Sequence, residues 1–382
     1  MDKICKYFGD CGGCSFQDIP YPEQLKAKEA VVRDLMEANY SDLELKPINS
    51  GSQMYYRNKM EFTFFQNSKV VCGFYSKKEK RKVLDLEECM IFSPDAVLIL
   101  KAVKDFVNTR NYKAYDKFIY KGFLRHLIIR ETKFSNEIML GIVTTTATVF
   151  DKEAFVKVLL KLSLKSKIKS IYWIKNDSTS DAVVFEDKEL LYGVETITER
   201  LNGLSFKIGI DTFFQVNPRM LAEFYTKLKD HLNISSEERV LDLFCGVGSI
   251  GIFLAKSAKY VWGVELSKEI VDLAWENARD NNIDNISFFV SDARRFLNTQ
   301  GSFYKDIDVL VINPPRCGLS KRMIRAILRL NPERILYSSC NPKAMFSDLD
   351  SLAINYTPQF FEPFDFFPHT RHLEVCSLLK RK

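Results

Sequence analysis

From about residue 206 onward the apolar residues of this chain come in short unbroken runs, each followed by a stretch of helical spacing. RVLDLF precedes SIGIFLAKSA, YVWGVEL precedes KEIVDLAWENARDNN, and ISFFVSD, IDVLVIN and RILYSS follow. Short runs without polar alternation predict strands buried on both faces, and their alternation with amphipathic segments predicts a doubly wound parallel sheet of the Rossmann type. Residues 91–205 have another texture. Helical segments (PDAVLILKAVKDFVN, KEAFVKVLLKLSLK) are interspersed with strand-like ones (FLRHLIIRE, EIMLGIVTT, SIYWIKN), which predicts a central mixed α/β domain. Before it, RNKMEFTFFQNSKVVCGFY reads as β structure. The fold expected is therefore α/β, in three parts: a cysteine-rich segment with the start of the central domain (1–90), the central domain proper (91–205) and the Rossmann-like domain (206–382).

The 382 residues exceed one ordinary core, and 46% hydrophobic with 27% charged residues is a soluble globular balance. The start, MDKICKYFGD, has no apolar stretch of signal-peptide length, and no run of about 18 uncharged apolar residues follows, so a cytoplasmic protein without a membrane span is expected. In that compartment nine cysteines are left for metal binding, catalysis or plain burial. The net charge of +6 is gathered in runs such as YSKKEKRKV and KVLLKLSLKSKIKS. Charge alone leaves contact with a phosphate backbone and a solvated face evenly matched for either run.

Cys5, Cys11 and Cys14 stand in a CxxxxxCxxC arrangement whose glycines, Gly12 and Gly13, permit a tight loop. Three clustered thiols with a distant fourth suit either zinc or an iron–sulfur cluster. Cys89 is the better fourth ligand than Cys72, which falls inside an expected strand.

In VLDLFCGVGSIGIFLA a buried strand ends on Asp242 and is followed by a turn carrying Gly246 and Gly248, where backbone can approach a ligand closely. The next strand ends on Glu265, which could take a ribose, the third reaches Asp292, and the fourth ends in Asn313, Pro314 and Pro315. Each acid singly could be a helix cap. Together they resemble the class I S-adenosylmethionine-dependent methyltransferases. Arg316 stands where an amino-group methyltransferase would have an aromatic residue, and its planar fork suits a phosphate or a base edge.

Cys340 follows the fifth strand, at the end that faces this crevice. Taken alone it would be a core thiol. A thiolate adding to C6 of a pyrimidine activates C5 for methylation, and a base must then remove the C5 proton; Glu374 in FPHTRHLEV is the candidate. His369 and His372 are expected to position that turn. Cys317, separated from the prolines by Arg316, is expected to be a bystander.

The segments FFQVNP, DLFCGVG, NPPR, YSSCNP and FPHTRHLEV, in that order, resemble the RNA uracil-5-methyltransferase family. The resemblance implies Cys340 as nucleophile, Glu374 as base, and Gln215, Phe244, Glu265 and Asn313 as contacts of S-adenosylmethionine. It also implies a [4Fe-4S] cluster on Cys5, Cys11, Cys14 and Cys89, with Arg57 and Lys59 of YRNKMEF beside Arg316 as RNA contacts. Asn in place of Asp at 313, and no extra barrel before Cys5, resemble the branch acting on uracil 747 of 23S rRNA. A monomer acting on 23S rRNA is thus expected; a tRNA T-loop uridine or another rRNA uridine is the alternative, and a non-catalytic iron–sulfur RNA-binding protein the remoter one.

Overall fold

The computed structural model describes residues 4–299 and 306–382. Its larger sheet runs Ile286–Val290, Tyr260–Glu265, Arg239–Leu243, Val309–Ile312, Arg334–Ser339, Glu374–Arg381, Phe360–Phe364 and Glu44–Leu45, with Tyr356–Pro358 also paired to Glu374–Arg381. The first five strands are parallel, and Glu374–Arg381 returns antiparallel beside Arg334–Ser339. The expected doubly wound sheet is therefore present, its strands in the expected segments. The chain reverses direction across the sheet between Arg239–Leu243 and Val309–Ile312, so the carboxyl ends of these two strands flank a crevice where the Asp242 turn and Asn313 meet.

The first ninety residues divide between two bodies. The helix Tyr21–Met36 buries Val32 and Met36 in the same core cluster as Phe346 and Phe361, and Glu44–Leu45 pairs in parallel with Phe360 and Phe361 at the sheet's edge. The N-terminal helix thus belongs to the Rossmann-like unit, a placement nothing in its own sequence announces. Residues from Lys59 join the second sheet, ordered Val83–Asp85, Val70–Tyr75, Lys59–Gln66, Leu124–Glu131, Glu137–Thr144, Lys167–Lys175 and Asp187–Gly193. The helices Asp95–Thr109 and Lys152–Leu160 pack against it. The second helix stops at Leu160, short of the LSLK included in its expected range. The reason lies in Asp95, a buried carboxylate that accepts the backbone N–H of Lys165 (3.0 Å) and Ser166 (2.8 Å) and so holds the following residues as a loop.

Two buried polar groups fasten the sheets together where they bear on the site. Arg130, inside Leu124–Glu131, donates to the carbonyls of Gly209 (2.9 Å) and Thr212 (2.6 Å). Asn58 donates from its side chain to the Gln215 carbonyl (2.9 Å) and from its backbone to the Val216 carbonyl (2.8 Å). Asn217 then caps the helix Pro218–Leu232 through Met220 N–H, with Pro218 at its first turn. The FFQVNP segment is thus held from both sides. No helix among the described residues is long and apolar enough to cross a membrane.

Candidate active site

The turn after Arg239–Leu243 owes its shape to left-handed backbone at Phe244 (φ 64°), Gly246 (φ 54°) and Gly248 (φ 79°). A Cβ on Gly248 would lie 2.6 Å from the Phe288 ring, so only glycine fits there; one on Gly246 would meet nothing within 4 Å, because that side of the turn is open. The open side is a crevice lined by Phe213, Gln215, Phe244, Gly246, Asn313 and Glu374. Glu265 stands at the end of its strand, where its carboxylate accepts Gly246 N–H (3.2 Å) and Leu266 N–H (2.7 Å). Asp242 stands back from the crevice. It is fully buried, accepts Gly251 N–H (3.0 Å), and is pushed up to about 7 by burial, so it supports the glycine turn from behind. Asp292 is exposed and caps the helix Ala293–Thr299 by accepting Arg295 N–H (2.9 Å).

The strands Arg334–Ser339 and Glu374–Arg381 pair with Ser339 opposite Val375, and continuing that register brings Cys340 opposite Glu374. The two expected catalytic groups, 34 residues apart in sequence, are thereby side by side. Glu374 is 2% exposed and Oε1 has no hydrogen-bond partner among the described residues. Burial pushes its carboxyl up to about 8, with the Ser338 hydroxyl pulling the other way. Cys340 is half-buried. Desolvation and the Glu374 charge raise its thiol, while the Arg316 guanidinium, close enough to hydrogen-bond the sulfur, lowers it. Arg316 thus faces the thiol itself rather than standing as a detached surface cation.

A cavity of about 300 Å³ opens beside Cys340, lined by Lys28, Arg316, Lys343, Arg371 and His372. Burial lowers the His372 pKa, and the charges of Arg316, Lys28 and Arg57 lower it further. Arg57 therefore belongs to this cationic surround. Lys59 does not: its ammonium pairs with Glu61 at 2.8 Å, in a separate groove. Lys28, Lys343, Arg371 and Phe213 escaped the sequence reading, since a helix lysine or a loop aromatic has no local signature; only their convergence distinguishes them. Cys317 is exposed, and Cys245 and Cys376 are core thiols.

The turn before Glu374 is braced by the N-terminal segment. Lys28 and Asp365 form a buried ion pair at 2.6 Å, and Lys28 also donates to the Phe367 carbonyl at 3.0 Å. Tyr21 donates to Asp365 at 2.8 Å. The His369 carbonyl, at a left-handed residue (φ 63°), accepts Ser15 N–H (2.8 Å) and Phe16 N–H (3.1 Å), while Gln24 contacts its ring. Immediately before Ser15 lie the cysteines. Cys5, Cys11, Cys14 and Cys89 line one small cavity, whereas Cys72 is sealed in the strand Val70–Tyr75. Gly13 N–H points at the Cys11 sulfur (3.4 Å) and the Gln17 amide at that of Cys14 (3.3 Å). Among the described residues no group of three or more histidine, cysteine or acidic side chains has the geometry to hold a metal ion.

A doubly wound sheet with a glycine turn, an acid after the second strand and an open crevice at the carboxyl ends is the class I S-adenosylmethionine-dependent methyltransferase arrangement. In three dimensions the chain superposes on the tRNA (uracil-54, C5)-methyltransferase of Pyrococcus abyssi in complex with S-adenosyl-L-homocysteine, with a TM-score of 0.80 and 28% identity over 97% of this chain and 86% of that one. Residues 20–382 match the model of the tRNA (uracil-5-)-methyltransferase family, and the chain belongs to that family. It is an S-adenosylmethionine-dependent RNA (uracil-5-)-methyltransferase. Similar proteins include uncharacterized RNA methyltransferases of Caldanaerobacter subterraneus and Clostridium tetani, each 34% identical over all of this chain and covered to 85% and 84% of their own lengths.

Proposed function

We propose that the protein methylates C5 of a uridine in 23S rRNA, acting as a cytoplasmic monomer with Cys340 as nucleophile and Glu374 as general base. The observation that carries this reading is the register that sets a thiol faced by Arg316 opposite a buried carboxyl whose Oε1 has no partner among the described residues. The Cys340 thiolate bonds C6 of the uracil, and the C5–C6 electron pair moves onto C5 and the O4 enolate. The cofactor, when bound, supplies a methyl group on a positively charged sulfur. C5 would take that methyl as the sulfur–methyl bond breaks and the sulfur is left a neutral thioether; Glu374 then removes the C5 proton, and the C5–C6 double bond re-forms as the thiolate leaves. A carboxyl held near 8 suits a base that must take up a proton and pass it on near neutral pH.

Gln215, Phe244, Gly246 and Asn313 line the space for the cofactor, with Glu265 fixing the turn, Asp242 supporting it and Asp292 at its rim. Arg57 and Arg316 would hold the RNA at the catalytic cavity, and Lys59 further out. The target is extruded from its stack, since a group sunk beside Glu374 cannot reach C5 of a stacked base. Cys5, Cys11, Cys14 and Cys89 would hold a [4Fe-4S] cluster. Their shared cavity and the N–H groups aimed at two of the sulfurs fit thiolate ligands, and Ser15 and Phe16 bracing the catalytic turn give the cluster a supporting role. The likeness to a tRNA (uracil-54, C5)-methyltransferase favours a second reading, in which the target is a tRNA T-loop uridine.

Glu374→Gln protein incubated with cofactor and RNA accumulates a denaturation-resistant RNA–protein adduct, which the added Cys340→Ala change abolishes. A Glu374→Gln enzyme that neither forms adduct nor methylates would remove the base assignment. Mapping methylated uridines in 23S rRNA and tRNA from cells lacking the gene decides between the two targets.

A further inference from the structure

We infer that the hairpin tip at Lys117–Tyr120, together with the turn at 76–82, is a second RNA site that stacks unpaired bases of the substrate away from the reacting uridine. The inference rests on the functional reading above, and the surface there carries three independent marks of such a site. First, Phe118, Ile119 and Tyr120 are 50%, 61% and 60% exposed, and no other three consecutive large hydrophobics are so exposed among the described residues. The tip is nonetheless built: Asp116 N–H donates to the Lys121 carbonyl at 2.7 Å, the Asp116 carboxylate accepts Phe118 N–H at 2.8 Å, and Tyr120 takes left-handed backbone (φ 56°). Apolar side chains held outward on a tightened turn are presented to something.

Second, cations already lie on these rings. The Arg81 guanidinium sits 4.1 Å from the Phe118 centroid, and Lys117 Nζ sits 4.3 Å from the Tyr75 centroid while paired to Asp181. This joins the basic run near residue 80 to the aromatic tip, two features far apart in sequence. Third, Lys78, Lys80 and Lys121 are exposed and have no carboxylate partner among the described residues. Aromatic faces interleaved with uncommitted cations match a nucleic-acid strand, whose bases stack and whose phosphates need neutralising; a protein-binding core would instead be depleted in lysine. The expected ligand is therefore single-stranded or loop RNA.

The test compares two RNAs that the wild-type enzyme methylates: a long in vitro transcript and a short oligonucleotide carrying the target uridine with only its nearest neighbours. Phe118→Ala/Tyr120→Ala raises KM for the long RNA by roughly tenfold, leaves kcat unchanged, and leaves the short RNA unaffected. Phe118→Trp keeps the wild-type KM, and Lys78→Glu/Lys80→Glu weakens binding of the long RNA and flattens its salt dependence. An unchanged KM for the long RNA in the double alanine variant would overturn the site and point to a protein partner for the tip. Absence of methylation of either RNA by the wild-type protein would instead remove the functional reading, and this inference with it.

Discussion

Cys340 and the cysteines of the N-terminal cavity are partly buried thiols in one chain, yet their surroundings treat a negative sulfur differently. Burial raises Cys340 and, in the N-terminal cavity, Cys11, Cys14 and Cys89. In the N-terminal cavity burial, with the other sulfurs adding to it, pushes Cys14 and Cys89 as bare thiols up to about 12. At Cys340 one guanidinium faces the thiol, and the cavity beside it opens to a ring of cations. The first arrangement favours proton-holding thiols until a metal displaces the protons; in the second, Arg316 offsets part of what burial and the Glu374 charge cost a thiolate, and the cavity leaves room for a planar ring. Burial therefore does not decide what a cysteine is for, whereas the sign and access of its neighbours do.

The largest test of that contrast is at Cys340, the proposed nucleophile. Cys340→Ala is expected to lower kcat by on the order of 10⁴-fold or more, with cofactor binding measured by calorimetry unchanged. Iron and sulfide content should also stay at wild-type level, because the two thiol sites do not share a residue.

Next comes the cavity. Cys89→Ser is expected to lose the iron–sulfur absorbance proposed for it and several degrees of melting temperature, whereas Cys72→Ala, though more deeply buried, leaves the iron content unchanged and costs about 1 kcal/mol in a small cavity. Iron retained in the first variant, or lost in the second, would exchange the roles of Cys89 and Cys72.

The smallest effect separates the two sites by pH. Glu374 lies at about 8 in the folded protein against an ordinary 4.5, so the folded state holds that proton more tightly and stability falls as pH rises from about 4.5 to about 8. Glu374→Gln removes the dependence, and its melting-temperature advantage over wild type should grow across that window. In the wild-type enzyme kcat/KM should climb with pH through about 8 as the base deprotonates. A Cys89→Ser variant should leave the slope of the Glu374 effect intact.

Most of the candidate site's placement was legible in the sequence because its residues sit at strand ends, where the unbroken apolar runs of VLDLF, VLVI and RILYSS stop. A short motif there predicts position, since the sheet fixes where every strand ends. Asp242 shows the limit of this: the letter pattern puts an acid at the turn, but only the packing reveals that Gly251 N–H and burial turn it to the back of the loop. The cationic cavity was illegible for another reason. Lys28, Lys343 and Arg371 come from three separate segments, and a lone lysine on an amphipathic helix looks the same whether it meets solvent or Asp365. The helix ending at Leu160 makes the same point on the level of fold, since the residue that ends it is Asp95, on another element.

The brace between the two ends of the chain also dictates an order of events. Tyr21 is 344 residues from Asp365, Lys28 is 337, and Ser15 and Phe16 meet His369 across a similar span. A ribosome releases Ser15 and Phe16 about 350 residues before His369, so that segment waits through a long stretch of synthesis for its partner. Contacts of such separation form late and slowly. The loop at Ser15 and Phe16 is thus a clasp, made early and fastened late, once the larger sheet that carries the opposite turn is in place.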